Sequence, residues 1–271
     1  MRRVARSAAW LALAALVLPV VHSVGAQAPP GDALHRPLDQ LLDLYVRDGL
    51  VYYRALRAER ARLDRYVASL DVPAAVYARW TREEQLAFWI NAYNAFVLRT
   101  VLDYYPPPGG TIRRIPGVFT KLRRRAAGRE VTLDAIEYEI LPPFRDPRVY
   151  FALGRGAVGS GRLRSEAYLP SRLEAQLAAQ AREFLTQRAH VHIDALGNRI
   201  AVSPIFGWHE AEFAEVYAAK SPPAFAGRSP IERAVLALVY PLLLPTERAF
   251  VDKNEFRFVY QEFDWSLNEL R

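Results

Sequence analysis

Thr81-Arg82-Glu83-Glu84-Gln85-Leu86-Ala87-Phe88-Trp89-Ile90-Asn91-Ala92-Tyr93-Asn94-Ala95 is the stretch that decides the architecture. A threonine followed three residues later by glutamate is a capping box, in which the hydroxyl and the carboxylate each take one of the amides that open a helix. From Leu86 to Val101 the chain is apolar on nearly every helical face, which predicts a helix buried all round at the centre of the fold. Asn91 and Asn94 are the polar exceptions. Buried amides need partners, so they are expected to tie this helix to neighbouring backbone or to line a cleft. Glu84 is spent on the cap. Tyr105-Pro106-Pro107-Pro108-Gly109-Gly110 stops the helix.

Upstream, Leu38, Leu41, Leu42, Tyr45 and Val46 recur at helical spacing behind Pro37, a proline suited to a first turn. Leu56, Leu63, Tyr66, Val67 and Leu70 predict a second amphipathic helix. Downstream, Gly128 reads as a turn between two short strands, and Thr132 as the cap of a helix from Leu133 to Leu141. Val149 to Leu153 is a continuous apolar run and reads as a buried strand. Ser171 to Gln187 is amphipathic, and Val191–Ile193 with Ile200–Val202 flank the hairpin signal Ala195-Leu196-Gly197-Asn198. Ser229-Pro230-Ile231-Glu232 opens a helix to Val239, and Glu255–Tyr260 alternates as a last strand. Helices first and mixed short elements after them predict an α+β fold in a single domain over residues 36–271. Its helix-rich N-terminal half holds the buried central helix, packed on a small, mostly antiparallel sheet.

The 271 residues are 51% hydrophobic and include no cysteine. That composition excludes disordered and fibrous classes, and with them a disulfide framework, a thiol nucleophile and thiolate metal ligands. Arg2, Arg3 and Arg6, an apolar run from Ala8 to Val21 and the small residues Val24-Gly25-Ala26 follow the order of a secretory signal peptide over residues 1–26. The run is too short for a spanning helix, so no membrane anchor is expected after cleavage near Ala26. Residues 27–35 read as a flexible leader. Cleavage removes three arginines and leaves 33 basic against 29 acidic residues, so the net charge drops from +7 to +4. Export and that modest charge exclude a nucleic-acid partner. An exported chain without disulfides fits the bacterial periplasm.

The block from Glu84 to Ala95 resembles the family known as domain of unknown function 547. Gly128-Arg129-Glu130-Val131-Thr132-Leu133, Ile136-Glu137, Phe151-Ala152-Leu153, Leu163-Arg164-Ser165-Glu166-Ala167-Tyr168, Ser203-Pro204-Ile205-Phe206 and Asp264-Trp265-Ser266-Leu267-Asn268 extend the resemblance from about Leu38 to Asn268. It implies a distant likeness to papain-like and transglutaminase-like cysteine enzymes. It also implies histidines where this chain has Tyr138 and Tyr150, cysteines where it has Arg155 and Ser160, and proline where it has Gly161. A thiol enzyme needs its thiolate and an imidazole together. Tyrosine is a poor base at neutral pH, and arginine accepts no proton. Four joint losses point to an abandoned chemistry.

The residues left for a remnant cleft are Asn91, Asn94, Glu137, Tyr138, Tyr150, Arg155 and Ser160. Ser160, in Val158-Gly159-Ser160-Gly161, is the alternative nucleophile of a hydrolase or acyl transferase, with Glu137 as its nearby acid. A hydrolase elbow would need glycines at Ala157 or Val158 and at Arg162, so a flexible Gly/Ser loop round a vacated site is the plainer expectation. His190 and His192 share a strand face but have no visible third ligand, and read as exposed surface residues. His209, between Trp208 and Glu210, reads as a boundary histidine. No metal or cofactor is expected. Arg113, Arg114, Lys121, Arg123, Arg124, Arg125 and Arg129 form a basic hairpin over 113–129. Arg123, Arg124 and Arg125 are its candidate contacts for an anionic lipid or wall polymer. The sequence thus predicts an exported, non-catalytic binding or scaffolding protein. Its partner is open among a small molecule, a peptide and a cell-envelope polymer.

Overall fold

The computed structural model describes residues 30–270; the expected signal peptide and residues 27–29 of the expected leader lie outside them. Helix α1 (Pro30–Tyr45) begins inside the expected leader and carries Pro37 in its interior. The early start has an anchor. Asp32 is buried and its carboxylate accepts from the Ser171 amide at 3.2 Å and the Ser171 hydroxyl at 2.5 Å. His35, one turn on, meets the Tyr66 hydroxyl at 2.8 Å. Two tertiary hydrogen-bonded side chains thus hold as helix a segment whose composition suggests a leader.

A short ribbon, β1 (Val46–Arg47) and β2 (Leu50–Val51), turns the chain into α2 (Tyr53–Ala58) and α3 (Arg60–Ser69). The second amphipathic helix is thus two, broken at Glu59. After α4 (Ala74–Tyr77) comes α5 (Arg82–Asp103), whose 22 residues span about 33 Å. Both halves of its capping box are present: Thr81 Oγ1 accepts from the Glu84 amide, and Glu84 Oε2 from the Thr81 amide at 2.8 Å. Apart from Arg99, every residue from Leu86 to Leu102 is buried, as the absence of a polar face predicts. Helices α1, α2 and α3 pack against it.

The hairpin β3 (Arg124–Ala126) and β4 (Arg129–Val131) turns at Ala127-Gly128. Thr132 Oγ1 then accepts from the Ala135 amide to cap α6 (Leu133–Ala135), which widens into a π-turn over Ile136–Ile140. Val149 to Leu153 is not a strand: Val149–Ala152 forms α7. Five apolar residues carry no period that separates strand from helix, and the flank decides. Asp146 Oδ1 takes the Arg148 amide at 3.2 Å and, with Pro147, opens a helical turn. Helix α8 (Leu173–Thr186) packs on α7 and leads to β5 (Val191–Asp194) and β6 (Arg199–Val202). Then come α9 (Ile205–Trp208), α10 (Glu210–Tyr217), α11 (Pro230–Val239), α12 (Pro245–Val251) and β7 (Arg257–Tyr260).

The fold is α+β, with helices dominant and the strands in three small sheets. The largest has the order β5-β6-β7; β5 runs antiparallel to β6, but β7 runs parallel to it. A parallel pair needs a long crossover, and α9 to α12 supply it. The buried apolar side chains form one cluster from Leu38 to Phe256. Among the described residues no helix is long and apolar enough to cross a membrane.

Candidate functional site

Four separate stretches of chain meet at the Glu137 carboxylate. The π-turn carries Glu137 inward, where it is buried; single π-turns inside helices recur at functional sites. Its Oε2 accepts from the Tyr93 hydroxyl of α5 at 2.9 Å. Its Oε1 accepts from the Arg155 guanidinium and from His209 Nε2, the latter at 2.9 Å. Burial alone would push the carboxyl up, but the Arg155 charge and the His209 hydrogen bond overcome it and hold Glu137 at about 2. Arg155 is also buried, and its second guanidinium nitrogen donates to the Tyr150 and Leu153 carbonyls, each at 3.3 Å.

His209 is fully buried at the α9–α10 junction, so it is not a boundary residue. Its ring lies between two tyrosines. Tyr150 stacks at 3.4 Å between ring centres with planes 5° apart, and Tyr138 at 5.1 Å and 21°. Burial lowers its pKa more than Glu137 raises it, so the imidazole is neutral at neutral pH. An ionised Glu137 only accepts, so Nε2 carries the proton and Nδ1 presents a lone pair. Nδ1 is buried without a hydrogen-bond partner, 3.9 Å from Glu212 Oε1.

The positions singled out from the resemblance therefore converge. Tyr138 and Tyr150 flank the imidazole, and Arg155 completes the ion pair. Ser160 Oγ accepts from the Arg155 amide at 3.0 Å and is buried. No histidine, lysine or carboxylate is hydrogen-bonded to that hydroxyl among the described residues. Its loop is tied down rather than loose: the Val158 amide donates to the Ser266 carbonyl and the Gly159 amide to the Asp264 carbonyl, at 2.9 and 2.8 Å. A Cβ at Gly161 would lie 1.9 Å from the Phe151 carbonyl oxygen, so this backbone admits neither alanine nor the proline that the resemblance implies. Asn91 and Asn94 stand behind the cleft with both amide ends on backbone. Asn91 bridges the Tyr168 amide and carbonyl, and Asn94 bridges the Ala152 carbonyl and the Gly154 amide.

Above the cluster opens a cavity of about 140 Å³. Phe119, Tyr138, Trp208 and Trp265 wall it, and Asp134, Glu137 and Arg155 supply its polar groups. The ladder from Val158 and Gly159 to residues 264–266 is what sets Trp265 in place. Trp208, Phe263 and Trp265 form a continuous aromatic ridge, with Trp208–Phe263 at 4.9 Å and Phe263–Trp265 at 4.5 Å between ring centres. Burial and the neighbouring Glu137 charge raise the Asp134 carboxyl.

Residues 77–185 match the model of a family described as protein of unknown function, DUF547. The chain resembles the DUF547 family. No curated protein and no solved structure matches it. The DUF547 segment contains Tyr93, Glu137, Tyr150, Arg155 and Ser160, but it ends before Trp208, His209 and Trp265. Those three, together with Tyr93, Phe119 and Asp134, are site residues that the sequence reading did not assign to the cleft. His209 sits between Trp208 and Glu210 with no spacing rule that ties it to Glu137, 72 residues away.

Two further expectations change. His190 is buried against Phe184, with ring centres 3.9 Å apart, and burial together with the Arg162 charge holds it down at about 4. It is not an exposed strand histidine. In the basic hairpin, Arg124 is paired with Asp103 at 2.9 Å and Arg125 with Asp71 at 2.7 Å, while Arg123 is exposed. Arg113 lies over Trp265, 5.4 Å from the ring centre.

Proposed function

We propose that this protein is an exported binding module whose cleft holds a ligand without transforming it. The observation that carries this is the closed ion pair of Arg155 and Glu137. The guanidinium stands where the resemblance implies a thiol, and it cannot act as a base. His209 supports the same reading, because its Nε2 is committed to Glu137 and its free Nδ1 is enclosed between two tyrosine rings. A serine nucleophile needs a base in hydrogen-bond reach, and the partner of Ser160 Oγ is instead a backbone N–H. Export rests on the order of segments in residues 1–26. The anionic-surface alternative has less support, since two of its three arginines are already neutralised by aspartates.

A fluorophosphonate probe tests the reading directly. The folded protein is expected to show no labelling above that of the Ser160→Ala variant. Labelling that disappears with Ser160→Ala would establish a serine enzyme and overturn the binding-only function.

A further inference from the structure

We propose that the aromatic cavity is a cage for the alkylated ammonium head group of a small organic cation; this deepens the binding reading above and rests on it. The walls are Phe119, Tyr138, Trp208 and Trp265. Aromatic faces carry negative quadrupole density and attract a cation held within about 6 Å of the ring centre. Two of these rings already do so inside the molecule, since the Arg113 guanidinium lies 5.4 Å from the Trp265 centre and that of Arg155 5.5 Å from the Trp208 centre.

Charge points the same way. Arg155 is balanced by Glu137, and His209 is neutral, so neither leaves an excess at the cavity. Asp134 has no cationic partner and no side-chain hydrogen bond among the described residues, so the groups that line the cavity carry one carboxylate in excess; Arg113, over Trp265, is not among them. An anion would face that carboxylate and the ring faces unfavourably. An uncharged sugar could stack on the tryptophans but would find few polar groups free. Glu137 already accepts from three donors, and one guanidinium nitrogen of Arg155 already serves two carbonyls. Size agrees as well: 140 Å³ is the space of about four or five waters, which suits a compact head group rather than a drug-sized molecule.

The test is calorimetric titration of the exported protein with choline and tetramethylammonium. The controls are methyl glucoside and the carbon isostere of choline, in which tert-butyl replaces trimethylammonium. Saturable binding of both cations is expected, with the isostere weaker by about tenfold or more. Asp134→Asn and Trp265→Leu are each expected to weaken choline by about tenfold. Asp134→Asn leaves the ridge intact, and so answers the question even if Trp265→Leu fails to fold. Capture on phosphatidylcholine vesicles that free choline reverses would make the source a lipid, and binding of free choline alone would make it a soluble cation; both uphold the class. Equal binding of choline and its isostere, choline affinity unchanged by Asp134→Asn, no binding of either cation, or binding of the glucoside instead would overturn the cation assignment. The glucoside result would leave the binding function standing, whereas Ser160-dependent labelling by fluorophosphonate would remove that function whatever binds.

Discussion

Removing the guanidinium of Arg155 would leave the buried Glu137 carboxylate without its counter-charge, held only by the Tyr93 hydroxyl and His209 Nε2. Breaking a buried pair from one side costs about 3–5 kcal/mol, whereas replacing both partners can be nearly neutral. Arg155→Met is therefore expected to destabilise the protein by that amount, and Arg155→Met with Glu137→Gln by less than the two single changes together. Urea unfolding of the four proteins measures this coupling; strict additivity would mean that the pair does not act as a unit. Glu137 was legible in the sequence, because an acid next to an altered position, Tyr138, invites attention. His209 was not, because its contact closes over 72 residues and depends on how α9 meets α10. The Ser160 hydroxyl was legible as a candidate; its amide partner was not.

At the scale of elements, α5 is the ruler from which the site is measured. Its Asn94 holds the Ala152 carbonyl at 3.0 Å and the Gly154 amide at 2.8 Å, so one side chain pairs two backbone groups of the segment that leads into Arg155. Asn94→Ala would leave both backbone groups buried and unpaired, at a cost of roughly 2–4 kcal/mol. The expected signature is a lower urea midpoint together with fast hydrogen exchange at the Gly154 amide. An amide that stays protected in the variant would show that the segment is held by something else. Such long elements could be read from the sequence, since a capping box and an unbroken apolar run leave α5 no alternative. The β3–β4 and β5–β6 hairpins and the strand β7 were readable as well, from their turn residues and alternation. The helical form of α7 and the parallel direction of β7 were not, because they are fixed by what surrounds them: Asp146 for the first, and the crossover of α9 to α12 for the second.

For the molecule as a whole, burial of imidazoles sets the response to acid. His35 and His190 both lie at about 4 in the fold, against an ordinary 6.5, chiefly through burial. Between those values the unfolded chain binds protons that the fold refuses, so stability is full above about pH 6.5 and falls as the pH drops toward 4. Each histidine can contribute up to about 3 kcal/mol to that loss. Glu137, lowered from 4.5 to about 2, adds a further loss below 4.5. The urea midpoint is therefore expected to drop between pH 7 and pH 5, and His190→Phe, which can keep the stack on Phe184, should flatten the drop. A midpoint unchanged over that range would refute the account. The α+β class and the buried central helix were readable at this scale; the convergence on one carboxylate was not, for it arises only once distant segments close. That convergence also says where the chain can be cut. A fragment ending with the DUF547 segment at residue 185 would keep Tyr93, Glu137 and Arg155 but lose His209, Trp208 and the strand ladder that seats Trp265. The boundary of the family match therefore cuts through the site, and a chain truncated there would lack the imidazole and both tryptophans of the cavity wall.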